Sequence, residues 1–262
     1  MAMGAGSAVS GVLFGFIAGA VALLAWRFRF FEIEFSLLSF AVLMVLNDFQ
    51  YYWKHRFMHR VRWFWANHVI HHSSNQYNLT TALRQPWTGP ISGLVIIGTP
   101  QMLLGFHPAM VAFAGGVNLL YQFWIHTEAI DRLPRPIEYL FNTPSHHRVH
   151  HGRNARYLDA NYGGILIIWD RMFGSFVPEL ERDKPDYGLV APLSTHNPLI
   201  VATHEYGALL KDLWRDGYRI WRWPGRFLGP PGWSPDGQHQ TSASFKRDYL
   251  DAHPDERGTE GF

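Results

Sequence analysis

The chain has 262 residues, 47% hydrophobic and 17% charged, with a net charge of +2 and no cysteine. That composition excludes a disulfide framework and thiolate metal chemistry. So small a net charge, carried by basic residues scattered among aromatics, also excludes a nucleic-acid-binding tract.

Residues Ala8 to Trp26 carry no charge, a run long enough to cross a hydrocarbon core as a helix. No basic stretch precedes it and a second apolar segment follows, so it reads as a membrane span and not as a secretory signal. A second crossing is predicted from about Phe35 to Trp53. Asp48 sits near its end, where an acid needs a partner. The third apolar block, Pro90 to Ile125, has His107 and no Asp, Glu, Lys or Arg and is too long for a single helix. A break at Gly105 to Pro108 is predicted, with Pro108 opening the next helix.

The expected fold is therefore all-α: an integral membrane protein of two transmembrane helical hairpins with a cytosolic helical cap. Its divisions are a first hairpin (1–53), cytosolic helices (54–88), a second hairpin (89–126), the cap (127–223) and an irregular tail (224–262). Lys54, Arg56, Arg60 and Arg62 follow the second crossing, whereas Arg27 and Arg29 after the first are balanced by Glu32 and Glu34; the first group marks the cytosolic side. Leu199 to Trp223 reads as an amphipathic surface helix, and Pro, Gly and charge from Pro224 onward read as coil.

Histidine is the outlier in this composition. Of 15 in the chain, eleven lie between His55 and His151. His55 and His59 are four apart; His68, His71 and His72 repeat the spacing of His147, His150 and His151. On a helix each such set shares one face, so three faces present eight imidazoles. Neutral imidazole suits zinc, copper, iron and nickel, and four ligands fill one zinc, so eight histidines imply two metals. Metal-bound imidazoles usually donate their other N–H to a carboxylate or carbonyl. Asp48, Glu128, Asp159 and Asp170 are the candidates, and Asp48 leads them because it lies two helical turns before His55. In the polar segment after the second set, Asn78, Thr81 and Arg84 read as capping and structural contacts. Asn161 to Gly164 reads as a turn.

HRFMH, HVIHH and HHRVHH, with the single histidine of WIHTE between them, resemble the histidine boxes of the fatty acid hydroxylase and sterol desaturase superfamily. More narrowly, YYWKHR, NHVIHHSSNQYNLTTALRQ, YQFWIHTE, NTPSHHRVHHGRN and NYGGILIIWDRMFGSF resemble its alkylglycerol monooxygenase branch. The likeness runs from about Asn47 to Glu179. It implies an all-histidine di-iron centre that activates O2, with His126 as a ninth ligand and Gln122 and His146 as neighbours that could also ligate. The implied reaction is hydroxylation of a lipid C–H bond beside the ether oxygen of an alkylglycerol, giving a fatty aldehyde and glycerol. The implied partners are a membrane lipid, the bilayer and an external electron donor, tetrahydrobiopterin or another reductant. One departure is visible: Arg60 follows His59 where that branch usually carries glutamate. Oxidation of a sterol or another lipid is the alternative within the superfamily; a zinc-dependent membrane hydrolase and a haem protein are the alternatives outside it. His107, His196, His204, His239 and His253 fall outside the boxes and are expected to tolerate replacement.

Overall fold

The computed structural model describes residues 2–89 and 92–256. Pro90, where the third apolar block was expected to begin, and the last six positions of the tail lie outside them. Among the described residues there are helices and no strand; backbone bridges such as that between Phe141 and Leu166 are isolated. The α-helices in chain order are α1 (Ala2–Arg27), α2 (Leu37–Arg60), α3 (Arg62–His72), α4 (Leu79–Ala82), α5 (Thr99–Leu104), α6 (Pro108–Ile125), α7 (Arg135–Leu140), α8 (Pro144–His151), α9 (Ile168–Met172), α10 (Pro198–Asp216), α11 (Trp223–Leu228) and α12 (Ser242–Ala252).

Among the described residues two helical stretches are long and apolar enough to cross a membrane, Gly4–Arg27 and Pro108–Ile125. Along α1, Val12, Leu13, Phe16, Leu23 and Leu24 point away from the protein, as suits a helix surrounded by lipid. The two other expected crossings differ from this pair. α2 is one continuous helix, opened by a reciprocal Ser36–Ser39 capping box, but Asn47, Asp48, Gln50 and Lys54 interrupt its second half. The segment before Gly105 is a 3₁₀ turn over Leu94–Gly98 running into the six residues of α5, roughly 20 Å at most and short of a ~30 Å core. Glycine and proline explain its shortness: Gly93 is left-handed and begins the 3₁₀ turn, and Pro100 opens α5. The break at Gly105 is as expected. Its φ is +118°, and a Cβ there would strike the Phe31 carbonyl. Leu43, Phe106, Val111 and Ala114 form the apolar core between α2 and α6.

One residue folds the site together. Val61 leaves the helical region (φ −120°, ψ 116°), ending α2 and opening α3, so α3 packs back along the end of α2. The start of α3 is pinned by Arg62, whose backbone N–H donates to Gly229 O and whose side chain donates to Glu205 (2.8 Å) and Asp212 (2.6 Å) of α10. Val69 and Ile70 of α3 pack with Val201 and Ala202 of α10. The tail departs from the expected coil: α11 and α12 are helical, Thr241 caps α12, and buried Glu256 pairs with Arg156 (2.6 Å) and Arg182 (2.9 Å). Those ion pairs reach back to residues far upstream, which a local reading of Pro, Gly and charge does not contain.

Candidate metal centre

All of α8 is buried, and its histidines meet those of α2 and α3 where the α2–α3 fold-back ends. The nitrogens of His55, His59, His68, His72 and His150 lie within 4.8 Å of one another, and so do those of His71, His126, His147 and His151. These are two adjoining groups of five and four. The His72 and His151 rings stack across the join with centroids 4.4 Å apart. Each H-x-x-H-H set is split between the groups, since the +3 and +4 positions of a helix point to slightly different sides.

The nitrogens converge in a way that fits cations. In the first group the Nε2 atoms of His55 and His68 are 3.0 Å apart and those of His68 and His72 3.2 Å. In the second, His71 and His126 are separated by 3.2 Å and His126 and His147 by 3.0 Å. Nitrogens about 2.1 Å from one ion and at right angles would be about 3.0 Å apart. Nε2 of His59, His150 and His151 is buried with no hydrogen-bond partner, a cost that a bound cation removes; Nδ1 of His71 and His147, also unpartnered, is the ring nitrogen opposite the converging Nε2. Burial first, and then the nearness of the other imidazoles, holds His68, His72, His147, His150 and His151 well below the ordinary histidine value. The rings are neutral and their lone pairs are available.

The far nitrogens of several rings are fixed by oxygen. Nδ1–H of His55 donates to Tyr162 O (2.9 Å), that of His150 to Ala160 O (2.9 Å) and that of His126 to Gln122 O (2.7 Å). Each bond turns Nε2 toward the cluster. Of the four expected carboxylates, Asp159 faces an imidazole directly, with Oδ1 3.6 Å from His59 Nδ1 and Oδ2 3.2 Å from Arg60. Burial opposes its ionisation, but His59 and Arg60 together hold it below the usual carboxylate range. The other three act elsewhere. Asp48 accepts from Ile165 N, Leu166 N, Trp169 Nε1 and Asn118 Nδ2 at 2.7–3.0 Å. Asp170 accepts from the Tyr162 and Gly163 N–H groups and from Ser175, and burial pushes it up to about 6. Glu128 accepts from Tyr187 (3.1 Å) at the periphery.

Asp48 and Asp170 thus hold the irregular segment 161–166 that presents the Tyr162 carbonyl to His55. Tyr162, Ala160 and Gln122 contribute through backbone oxygen, which residue type does not reveal. Gln122 turns its side chain away, accepting from Tyr51 (2.6 Å) and donating to Asn118. His146 also stands outside both groups, with Nε2 2.9 Å from Glu138 and its ring edge-on to Phe176. Asn78 caps α4, and Arg84 ties Ser73 to that segment.

A cavity of about 400 Å³ opens on the cluster. His59, His72, His150 and His151 form its floor, while Trp65, Val69, Leu158, Leu189, Val190 and Phe245 supply apolar wall. His204, expected to be dispensable, is in that wall. α10 carries it there, and helical periodicity gives the face but not the neighbour.

A family profile described as fatty acid hydroxylase matches residues 40–175, just over half of the chain and all nine clustered histidines. The alkylglycerol monooxygenase of Danio rerio is 47% identical over 190 residues, 70% of this chain and 42% of that protein. That of Homo sapiens is 45% identical over 188 residues, 72% and 41% of the two chains. An ornithine lipid hydroxylase of Rhizobium tropici is 26% identical over 151 residues, 58% and 45%. The chain spans less than half the length of these curated relatives. No solved structure matches it. With the profile lying over the helices that bring the imidazoles together, the chain belongs to the fatty acid hydroxylase family.

Proposed function

We propose that the protein is a membrane-embedded, O2-dependent di-iron monooxygenase that hydroxylates the carbon beside the ether oxygen of alkylglycerols. The observation that carries this reading is the cluster of nine imidazoles, four of which form the floor of a cavity with apolar walls, joined to the likeness to alkylglycerol monooxygenases. The five-histidine and four-histidine groups would each hold one iron. Bound there, the irons supply O2 activation and C–H oxygenation, with two electrons per turnover from an external donor, tetrahydrobiopterin or another reductant. Overall, the ether, O2, two electrons and two protons give the hydroxylated ether and water. The hydroxylated carbon is a hemiacetal, which separates into fatty aldehyde and glycerol.

The chain's own residues orient and exclude. The Tyr162, Ala160 and Gln122 carbonyls fix three rings, and the apolar wall keeps water from the reacting carbon. In this reading α1 and α6 cross the bilayer and α2 carries the histidines out of it, and the basic residues at the end of α2 support a centre on the cytosolic face.

Oxygen-dependent turnover of a labelled alkylglycerol, with and without reduced pterin, tests the reading. Aldehyde that needs both O2 and reductant is expected, with two irons per chain. His151→Ala should abolish turnover and lower bound iron, whereas His196→Ala should do neither. Full activity with one metal, or with zinc alone, would falsify the di-iron assignment.

A further inference from the structure

The reacting carbon of an alkyl glyceryl ether is the first of its chain, only four and five bonds from the two glycerol hydroxyl oxygens. A substrate with that carbon on the histidine floor therefore has its diol inside the same cavity. A hydroxyl taken from water needs a protein partner there.

The charged groups in the wall are already engaged. Asp159 faces His59 and Arg60, Glu205 receives Arg62, and Arg153 donates to Asp186. His204 is different. Its Nδ1 lies 3.0 Å from the Val201 carbonyl, which can only accept, so Nδ1 bears the hydrogen, and an imidazole of that tautomer has its lone pair on Nε2. No protein group among the described residues hydrogen-bonds that Nε2. The position is rigid as well: Val201 and Ala202, within one turn of His204, are buried against Val69 and Ile70 of histidine-bearing α3.

We propose that His204 is a positioning residue for the glycerol head, accepting a hydrogen bond from a head-group hydroxyl through Nε2. This rests on the alkylglycerol reading of the site. The bond sets how far the ether enters and hence which carbon lies over the histidine floor. His204 touches no imidazole of the two groups, so its loss leaves metal binding intact.

The test compares 1-O-hexadecylglycerol with hexadecyl propyl ether, which lacks both hydroxyls, in the iron-loaded enzyme. His204→Ala should lower kcat/KM for the glyceryl ether about 3- to 10-fold, the worth of one neutral hydrogen bond, mainly through KM. It should leave turnover of the propyl ether and the iron content unchanged. His204→Gln, which keeps an acceptor, should recover most of the preference. Substrate-induced thermal shift under anaerobic conditions should show the same loss without turnover. If His204→Ala loses fold or iron, His204→Leu keeps the volume and carries the comparison. Equal slowing of both ethers, or of neither, overturns the role of His204 while the wild-type activity stands. A wild type that opens no glyceryl ether overturns the functional reading and this role together.

Discussion

Asp48 is the residue on which most of the site's surroundings converge. Four donors from three segments meet its carboxylate: two backbone N–H groups of the Ile165–Leu166 turn, the Trp169 indole and Asn118 of α6. Gly164 lies so close that a Cβ would sit 2.7 Å from Asp48 Oδ1. The need for a partner at this acid was legible in the sequence; that the partners are peptide, indole and amide N–H groups and not an imidazole was not, because three of the four lie over a hundred residues away. Asp48→Asn sets an amide N–H₂ against donors and loses the charge that strengthens the bonds, about 1.5–3 kcal/mol for a hydrogen bond to a charged group. The thermal midpoint should fall by about 5–10 °C, and iron affinity by about tenfold as the Tyr162 carbonyl loosens from His55. Midpoint and iron content measured beside wild type in one detergent decide this, and equal values would count against it.

α8 shows how an element is placed once its local pattern is set. Its His147, His150 and His151 face the cluster, while Arg148 points the other way into Glu179 (2.7 Å) and the carbonyls of Thr127, Ile130 and Asp131. The pair is buried on both sides. Arg148→Ala would leave Glu179 charged and unmatched, costing about 3–5 kcal/mol. Arg148→Met with Glu179→Leu should recover part of that, because the buried charge is gone but the three carbonyls still lack a donor. Denaturant titration of the single and double variants checks the order; a double variant less stable than Arg148→Ala would refute it.

In the molecule as a whole, the tail closes the cavity. Pro231, Gly232, Gln240, Ser242 and Phe245 lie beyond every clustered histidine in sequence yet line the space above them. The part of the cavity wall that the tail supplies is thus separate in sequence from the clustered histidines, and under the proposed function loss of that wall should leave the centre intact. Phe245→Ala removes apolar wall, so KM for a long-chain ether should rise about tenfold with two irons per chain retained. Loss of iron in that variant would show that the tail holds the centre together.

The sequence by itself determined the all-helical plan and eight of the clustered histidines, because these reside in local periodicity: residues three and four apart share a helix face whatever surrounds them; His126 and the likeness to a lipid hydroxylase family were carried by the motifs. It also marked Ala8 to Trp26 as apolar and Gly105 as a break, both properties of single segments. Tertiary structure alone decided the division of the imidazoles into five and four, the carbonyls that orient them, the helices of the tail and the seat of His204. Each of these depends on which distant group arrives to satisfy a donor, an acceptor or an apolar face. A sequence states that such a group is needed, and the folded chain supplies it.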